Sequence, residues 1–228
     1  MKLVLLHSPL VGSGTWQAVA SLLRARGHDA VVPDLAPVMR DGLPYYPSLA
    51  NVAADAVGAS SDKAILVVHS AAGALVPAIA QRVPLAGAIF VDALLPHPGR
   101  SWFETAPEAL NVHLRGLARD GRLPPWDRWW PKGAIQTLLP DFVQYEQFVA
   151  ELAELPLAYF EETAPAMPLT TPSVYLQLSD GYKEDADKAE AAGWPVTRFR
   201  SHHLAMLTHP DVVADEIDRL AVTLGLSA

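Results

Sequence analysis

Ser70, Asp180 and the pair His202-His203 occur in that order along the chain, each at the end of an apolar run that reads as a strand. Brought together they would make an activated nucleophile. A serine hydroxyl is a poor nucleophile at neutral pH until an adjacent imidazole takes its proton. A buried carboxylate then fixes the imidazole tautomer and stabilises the cation that forms. Asp92 also follows a strand end and is the alternative acid, and His7-Ser8 closes a further strand. His202, His203 and His209 lack the carboxylate pattern of a zinc site, so neither a metal nor another cofactor is expected.

The element that must position the serine runs from Ala64 to Leu75. Ile65, Leu66, Val67 and Val68 form a β-branched, apolar run that stops at His69-Ser70. The small residues Ala71, Ala72, Gly73 and Ala74 follow at once, and the residues through Ala80 read as helix. A buried strand turning sharply into a helix, with a serine at the corner, is the setting of a nucleophile elbow. The usual pattern, Gly-x-Ser-x-Gly, carries Val68 and Ala72 at its glycine positions here.

Before the elbow, a strand over Lys2–His7 leads through a Ser-Pro-Leu-Val-Gly-Ser-Gly loop into a helix over Thr15–Arg26. A strand over His28–Pro33, an irregular segment over Asp34–Pro47, a helix over Leu49–Ala59 and a turn at Ser60-Ser61-Asp62 complete that half. After the elbow helix come strands over Ala86–Val91, Ser173–Leu178 and Pro195–Arg200, with helices over Lys183–Ala192 and Pro210–Leu224. Alternation of this kind predicts an α/β fold: a mostly parallel sheet of about six strands with helices on both faces. Residues 94–169 break the pattern. They show no clear strand, hold Trp102, Trp126, Trp129 and Trp130, and carry helical periodicity over Pro107–Arg119 and Phe142–Thr163. The segment reads as a helical cap inserted into a core formed by residues 1–93 and 170–228, the whole making one domain.

Composition narrows the function. With 228 residues, half of them hydrophobic, a sizeable core is assured. A net charge of −8 argues against nucleic acid and anionic membrane as partners, leaving a small-molecule substrate; a homodimer is compatible with the sequence. The absence of cysteine excludes disulfides and thiolate chemistry and fits a cytoplasmic protein. Met1-Lys2 leads into only a short apolar run, so neither a signal peptide nor a membrane span is expected.

Three stretches resemble the α/β-hydrolases, in particular the small plant-type branch of hydroxynitrile lyases and methyl-ester esterases. They are Val4 to Trp16, similar to the oxyanion loop of that branch with its terminal tryptophan; the elbow around Ser70; and Ser201-His202-His203-Leu204-Ala205-Met206-Leu207-Thr208-His209-Pro210. The last match implies that His203 rather than His202 is the base, with Asp180 at the family's acid position. The resemblance further implies a serine hydrolase, a carboxylic-ester hydrolase that forms an acyl-enzyme on a small, largely apolar ester. Trp102, Trp126, Trp129 and Leu204 are the candidates for the substrate pocket.

The loop departs from the pattern. Acyl transfer needs backbone N–H donors aimed at the developing oxyanion. Ala71 supplies one, but the family's second donor falls on Pro9, which has no N–H. Losing one donor costs about 2.7–4 kcal/mol of transition-state stabilisation. Leu10 through a shifted loop, or the Ser8 hydroxyl, are the substitutes within reach. The alternative is a lyase or cyclase using His203 and Ser8 for acid/base work. Leu204, as apolar as in the esterases, stands where the lyases carry a lysine, and weighs against it.

Overall fold

The computed structural model describes residues 1–58 and 64–225. Its strands are β1 (Lys2–Leu6), β2 (Asp29–Val31), β3 (Ala64–Ser70), β4 (Leu85–Ala93), β5 (Arg122–Leu123), β6 (Leu155–Pro156), β7 (Ser173–Gln177) and β8 (Val196–Arg198). Six of them form one sheet in the order β2-β1-β3-β4-β7-β8. Every pairing within it is parallel, as the alternating sequence pattern predicts. The turn expected at Ser60-Ser61-Asp62 lies outside the described residues.

Successive strand residues point to opposite faces, so a continuous apolar run buries both. Leu3, Leu5, Ile65, Val67, Ile89 and Val91 pack against the helices Gly14–Ala25 and Pro210–Gly225, through Trp16, Val19, Leu23, Val213 and Ile217. Val4, Leu6, Leu66, Val68 and Phe90 face the other way, onto Tyr46, Leu49 and Ile79. That second core continues without a break into residues 94–169, taking in Leu114, Trp126, Phe148 and Phe160. Among the described residues, no helix is long and apolar enough to cross a membrane.

Two differences from the sequence reading have local causes. The helix expected to begin at Leu49 spans Tyr45–Val57. Pro47 falls within its first turn, where an N–H has no helical partner and a proline costs nothing. The single helix expected over Phe142–Thr163 is instead Phe142–Ala150 and Leu157–Glu161. Pro156 cannot continue the first helix and holds Leu155 extended. The two residues then pair antiparallel with Arg122–Leu123, a ribbon that the apolar pattern did not reveal.

The elbow is a close approach of two backbones. After β3 the chain makes a turn of 3₁₀-helix over Ala71–Leu75 and then the helix Val76–Ala80. The Leu94 N–H donates to the Ser70 carbonyl at 3.0 Å. A Cβ on Gly73 would sit 2.1 Å from the Leu94 carbonyl oxygen, so this position needs glycine. Gly73→Ala should therefore destabilise the protein by about 1–3 kcal/mol, the usual cost of overpacking. Thermal denaturation would record this as a fall of several degrees, and an unchanged midpoint would show that the two backbones can part freely.

Candidate active site

Ser70 occupies the strand-to-helix corner with φ 56° and ψ −127°, a backbone conformation that non-glycine residues rarely adopt. The residue is 6% exposed. Ala71 opens the 3₁₀ turn, where the first N–H groups of a helix have no partner inside it. Val68, in place of the usual glycine, is fully buried and lies in register with Phe90, so its side chain is absorbed by the core.

The acid beside the histidine is Asp92, not Asp180. Between β3 and β4 the register passes from His69↔Val91 to Ser70↔Ala93, leaving Asp92 as the extra residue of a bulge, with φ 43°. Bulges re-aim side chains beside active sites. Here the bulge delivers a fully buried carboxylate to His203, with Nδ1 of the imidazole 3.0 Å from Oδ2. The remaining acceptor capacity is filled by the Leu178 and Ser179 N–H groups at 2.6 and 3.0 Å and by the Ser179 hydroxyl at 2.5 Å. Tyr175 braces the bulge, its phenol accepting from the Ala93 N–H at 3.1 Å and donating to the Ala93 carbonyl at 2.7 Å. Asp180 lies exposed in the short turn Asp180–Tyr182. The loop that was expected to provide the acid thus provides donors to it instead.

The bond to Asp92 makes Nδ1 the donor nitrogen of His203 and leaves the Nε2 lone pair free, without a hydrogen-bond partner among the described residues. Three aromatic rings pack against the imidazole: His69 at 4.4 Å between centroids, Tyr182 at 4.8 Å and only 6° from parallel, and Trp126 at 6.1 Å. The His69 Nε2–H donates to the His203 carbonyl at 3.1 Å. Burial, with the neighbouring His203 second, holds the His69 imidazole well below its ordinary pKa and therefore neutral. The Ser70 hydroxyl is bonded to the Tyr182 hydroxyl at 3.1 Å rather than to the imidazole. Burial also raises the pKa of the Tyr182 phenol, which keeps its proton. Tyr182 was not singled out from the sequence. Its one available signal was an aromatic residue just beyond the turn after β7.

The loop after β1 is closed on itself. His7 Nδ1 donates to the Ser8 carbonyl at 2.8 Å, and its Nε2 accepts the Leu35 N–H at 2.9 Å. The Leu10 N–H, one proposed substitute for the N–H that Pro9 lacks, points at the Ser8 hydroxyl oxygen at 3.3 Å. Ser8 is fully buried. From segment 94–169, Glu151 accepts the Gly14 N–H at 2.8 Å, and a Cβ on Gly12 or Gly14 would come within 1.9 or 2.3 Å of its carboxylate oxygens. The two glycines leave room for that carboxylate to lie on the loop.

Of the candidate pocket residues, Trp126 is the one that meets the site. Trp102 and Trp129 instead pack edge-on to Phe160, at 5.3 and 5.6 Å, in an aromatic cluster within residues 94–169. Leu204 is fully buried in the main core beneath His203. Two surface depressions, one beside Arg26 and Asp218 and the other beside Glu104 and Arg115, are lined by none of these groups.

A model of the alpha/beta hydrolase family matches residues 3–216, and the chain belongs to that family. Esterase PIR7B of Oryza sativa subsp. japonica is 31% identical over 162 residues, a match that covers 66% of this chain and 60% of that protein. Among solved structures, an extracellular alpha/beta-hydrolase from a Paenibacillus species, reported to share structural and functional homology with tobacco salicylic acid binding protein 2, superposes with a TM-score of 0.78 at 20% identity, covering 96% of this chain and 98% of that one. A pyrethroid hydrolase from Sphingobium faniae JZ-2 gives a TM-score of 0.78 at 22% identity, with 97% of each chain covered.

The neutral histidine sets a pH dependence of stability. A histidine has a pKa of about 6.5 once unfolded, whereas that of His69 in the fold is well below, so the unfolded chain binds more protons as the pH falls. His69 therefore costs stability progressively below about pH 6.5 and nothing above about pH 7.5. Comparison of melting temperatures for the wild type and His69→Gln from pH 8 to pH 5 isolates this contribution. The variant should fall less steeply with acid, and parallel curves would contradict a buried, neutral His69.

Proposed function

We propose that the protein is a serine-dependent ester hydrolase, acting on a small, largely apolar ester through an acyl-enzyme, with Ser70 as nucleophile, His203 as base and Asp92 as the orienting acid. The observation that carries this reading is the bond from His203 to the fully buried Asp92, which leaves Nε2 free, beside a serine held in a strained corner. Family membership and the esterase and hydrolase relatives support the class of reaction.

In this mechanism the substrate carbonyl enters between Ser70 and Trp126, displacing the resting bond to Tyr182. His203 Nε2 takes the Ser70 proton as Oγ attacks, and the imidazolium is stabilised by Asp92. The Ala71 N–H faces the developing oxyanion. Collapse of the tetrahedral adduct breaks the bond to the alcohol, which leaves with the proton from His203. Water, activated by the same imidazole, then releases the acid and restores Ser70. Segment 94–169 acts as the cap over the strand ends, and Trp126 favours an apolar group beside the imidazole.

Ser70→Ala should lower kcat by roughly 10³-fold or more. A fluorophosphonate should add one adduct, which peptide mass spectrometry places on Ser70. A folded, unlabelled Ser70 would instead favour the lyase or cyclase reading that Pro9 motivates. The two candidate acids separate cleanly. Asp92→Asn should cost about 10⁴-fold in kcat, as a wrong imidazole tautomer does. Asp180→Asn, an exposed change, should stay within about twofold. The reverse ranking would return the acid to residue 180.

A further inference from the structure

The Tyr182 hydroxyl is placed against the nucleophile in a manner that the hydrolytic scheme leaves unused. It lies 3.1 Å from Ser70 Oγ, on a ring stacked almost parallel to His203. A phenol so placed has two possible targets in a tetrahedral adduct: the oxyanion, as a replacement for the N–H missing at Pro9, or the alkoxy oxygen of the leaving group.

Topology decides between them. In the sheet order β2-β1-β3-β4-β7-β8, the serine strand β3 has β1 on one side and β4, β7 and β8 on the other. The loop with Ser8, Pro9 and Leu10 follows β1. Tyr182 follows β7 and His203 follows β8. Tyr182 thus approaches Ser70 from the side of the imidazole that must protonate the departing alcohol, opposite the Pro9 loop.

Resting on the acyl-enzyme reading above, we infer that Tyr182 is a further catalytic residue, whose hydroxyl hydrogen-bonds Ser70 Oγ in the resting enzyme and the alkoxy oxygen of the ester as it leaves. In the adduct, Oγ and the alkoxy oxygen are attached to the same carbon, so a donor that touches the first needs only a small shift to reach the second. The proton balance is unaltered: Ser70 gives its proton to His203, the C–O bond of the ester breaks, and His203 gives that proton to the alkoxy oxygen. Tyr182 keeps its own proton throughout and lends a hydrogen bond while negative charge collects on the leaving oxygen. Its partly buried setting, which disfavours the phenolate, suits a donor that must not ionise.

The test is a series of acetate esters that share one acyl group and differ in their alcohol: 4-nitrophenyl, phenyl, trifluoroethyl and ethyl. Tyr182→Phe keeps the ring stacked on His203 and removes only the hydroxyl. The expected result is a loss in kcat/KM of about 10- to 100-fold for the ethyl ester, the usual effect of a hydrogen bond to a charged atom, shrinking to a few-fold for 4-nitrophenyl acetate. The dependence of rate on leaving-group pKa becomes steeper. A purely structural tyrosine would lower all four esters by the same factor or none, and either pattern overturns the inference. An equal loss on every ester, matched by an equal loss of affinity for a boronic acid, would place the hydroxyl at the oxyanion instead and likewise overturn it. Should Tyr182→Phe fold poorly, 3,5-difluorotyrosine at this position keeps the shape and strengthens the donor, and the dependence should then flatten. Failure of a fluorophosphonate to label the wild-type serine would sink the underlying acyl-enzyme scheme. That outcome is distinct from a labelled enzyme that is indifferent to the Tyr182 hydroxyl.

Discussion

A carboxyl group with no access to water needs hydrogen-bond partners for its oxygens. Asp92 meets that demand with two backbone N–H groups, one hydroxyl and one imidazole, all supplied by the segments that follow β7 and β8. Much of the local architecture exists to bring these groups together. The bulge in β4 turns the side chain toward His203, Tyr175 clamps the residue after it, and the loop at Leu178 and Ser179 folds over its oxygens. Removing any one donor would leave an uncompensated lone pair in a dry interior, so the cluster is cooperative. It fixes the orientation of the histidine more rigidly than a single contact at the surface would.

Around that cluster the imidazole is walled by rings rather than by charges. His69 is held uncharged by its burial, so it presents His203 with a polarisable ring and adds no positive charge beside it. Tyr182 covers it with another ring and turns a polar edge toward Ser70. Together they hold the imidazole plane in place, leaving the side chain 15% exposed and Nε2 uncommitted. Segment 94–169 adds Trp126 to this wall.

The parts of the site readable in the sequence were those set by local pattern. Ser70 stood at a junction between a β-branched run and a row of small residues, and the stretch around His203 matched a family motif. The parallel sheet followed from the alternation of elements. Local pattern does not separate Asp92 from Asp180, because both follow strands and a bulge depends on pairing with a neighbour distant in the sequence. The resemblance favoured Asp180, and the geometry of β4 overrode it. Tyr182 was missed since nothing local marks an aromatic residue that will stack on a ring from another loop. Residues 94–169 were the least legible. Their short helices and two-residue ribbon are held by aromatic packing around Phe160 and by Pro156, neither of which leaves a periodic trace.

Glu151 ties two otherwise separate parts of the molecule. Its carboxylate rests on Gly12 and Gly14, so segment 94–169 grips the loop that follows β1. Segment and loop are therefore fitted to each other. A version of the segment transplanted from a relative would arrive without this grip unless an acidic side chain of the same reach came with it. A side chain at residue 12 would also have to displace Glu151, whose Cβ lies 2.5 Å from where the new Cβ would stand. The long aromatic-rich segment is thus moored to the sheet at the loop after its first strand.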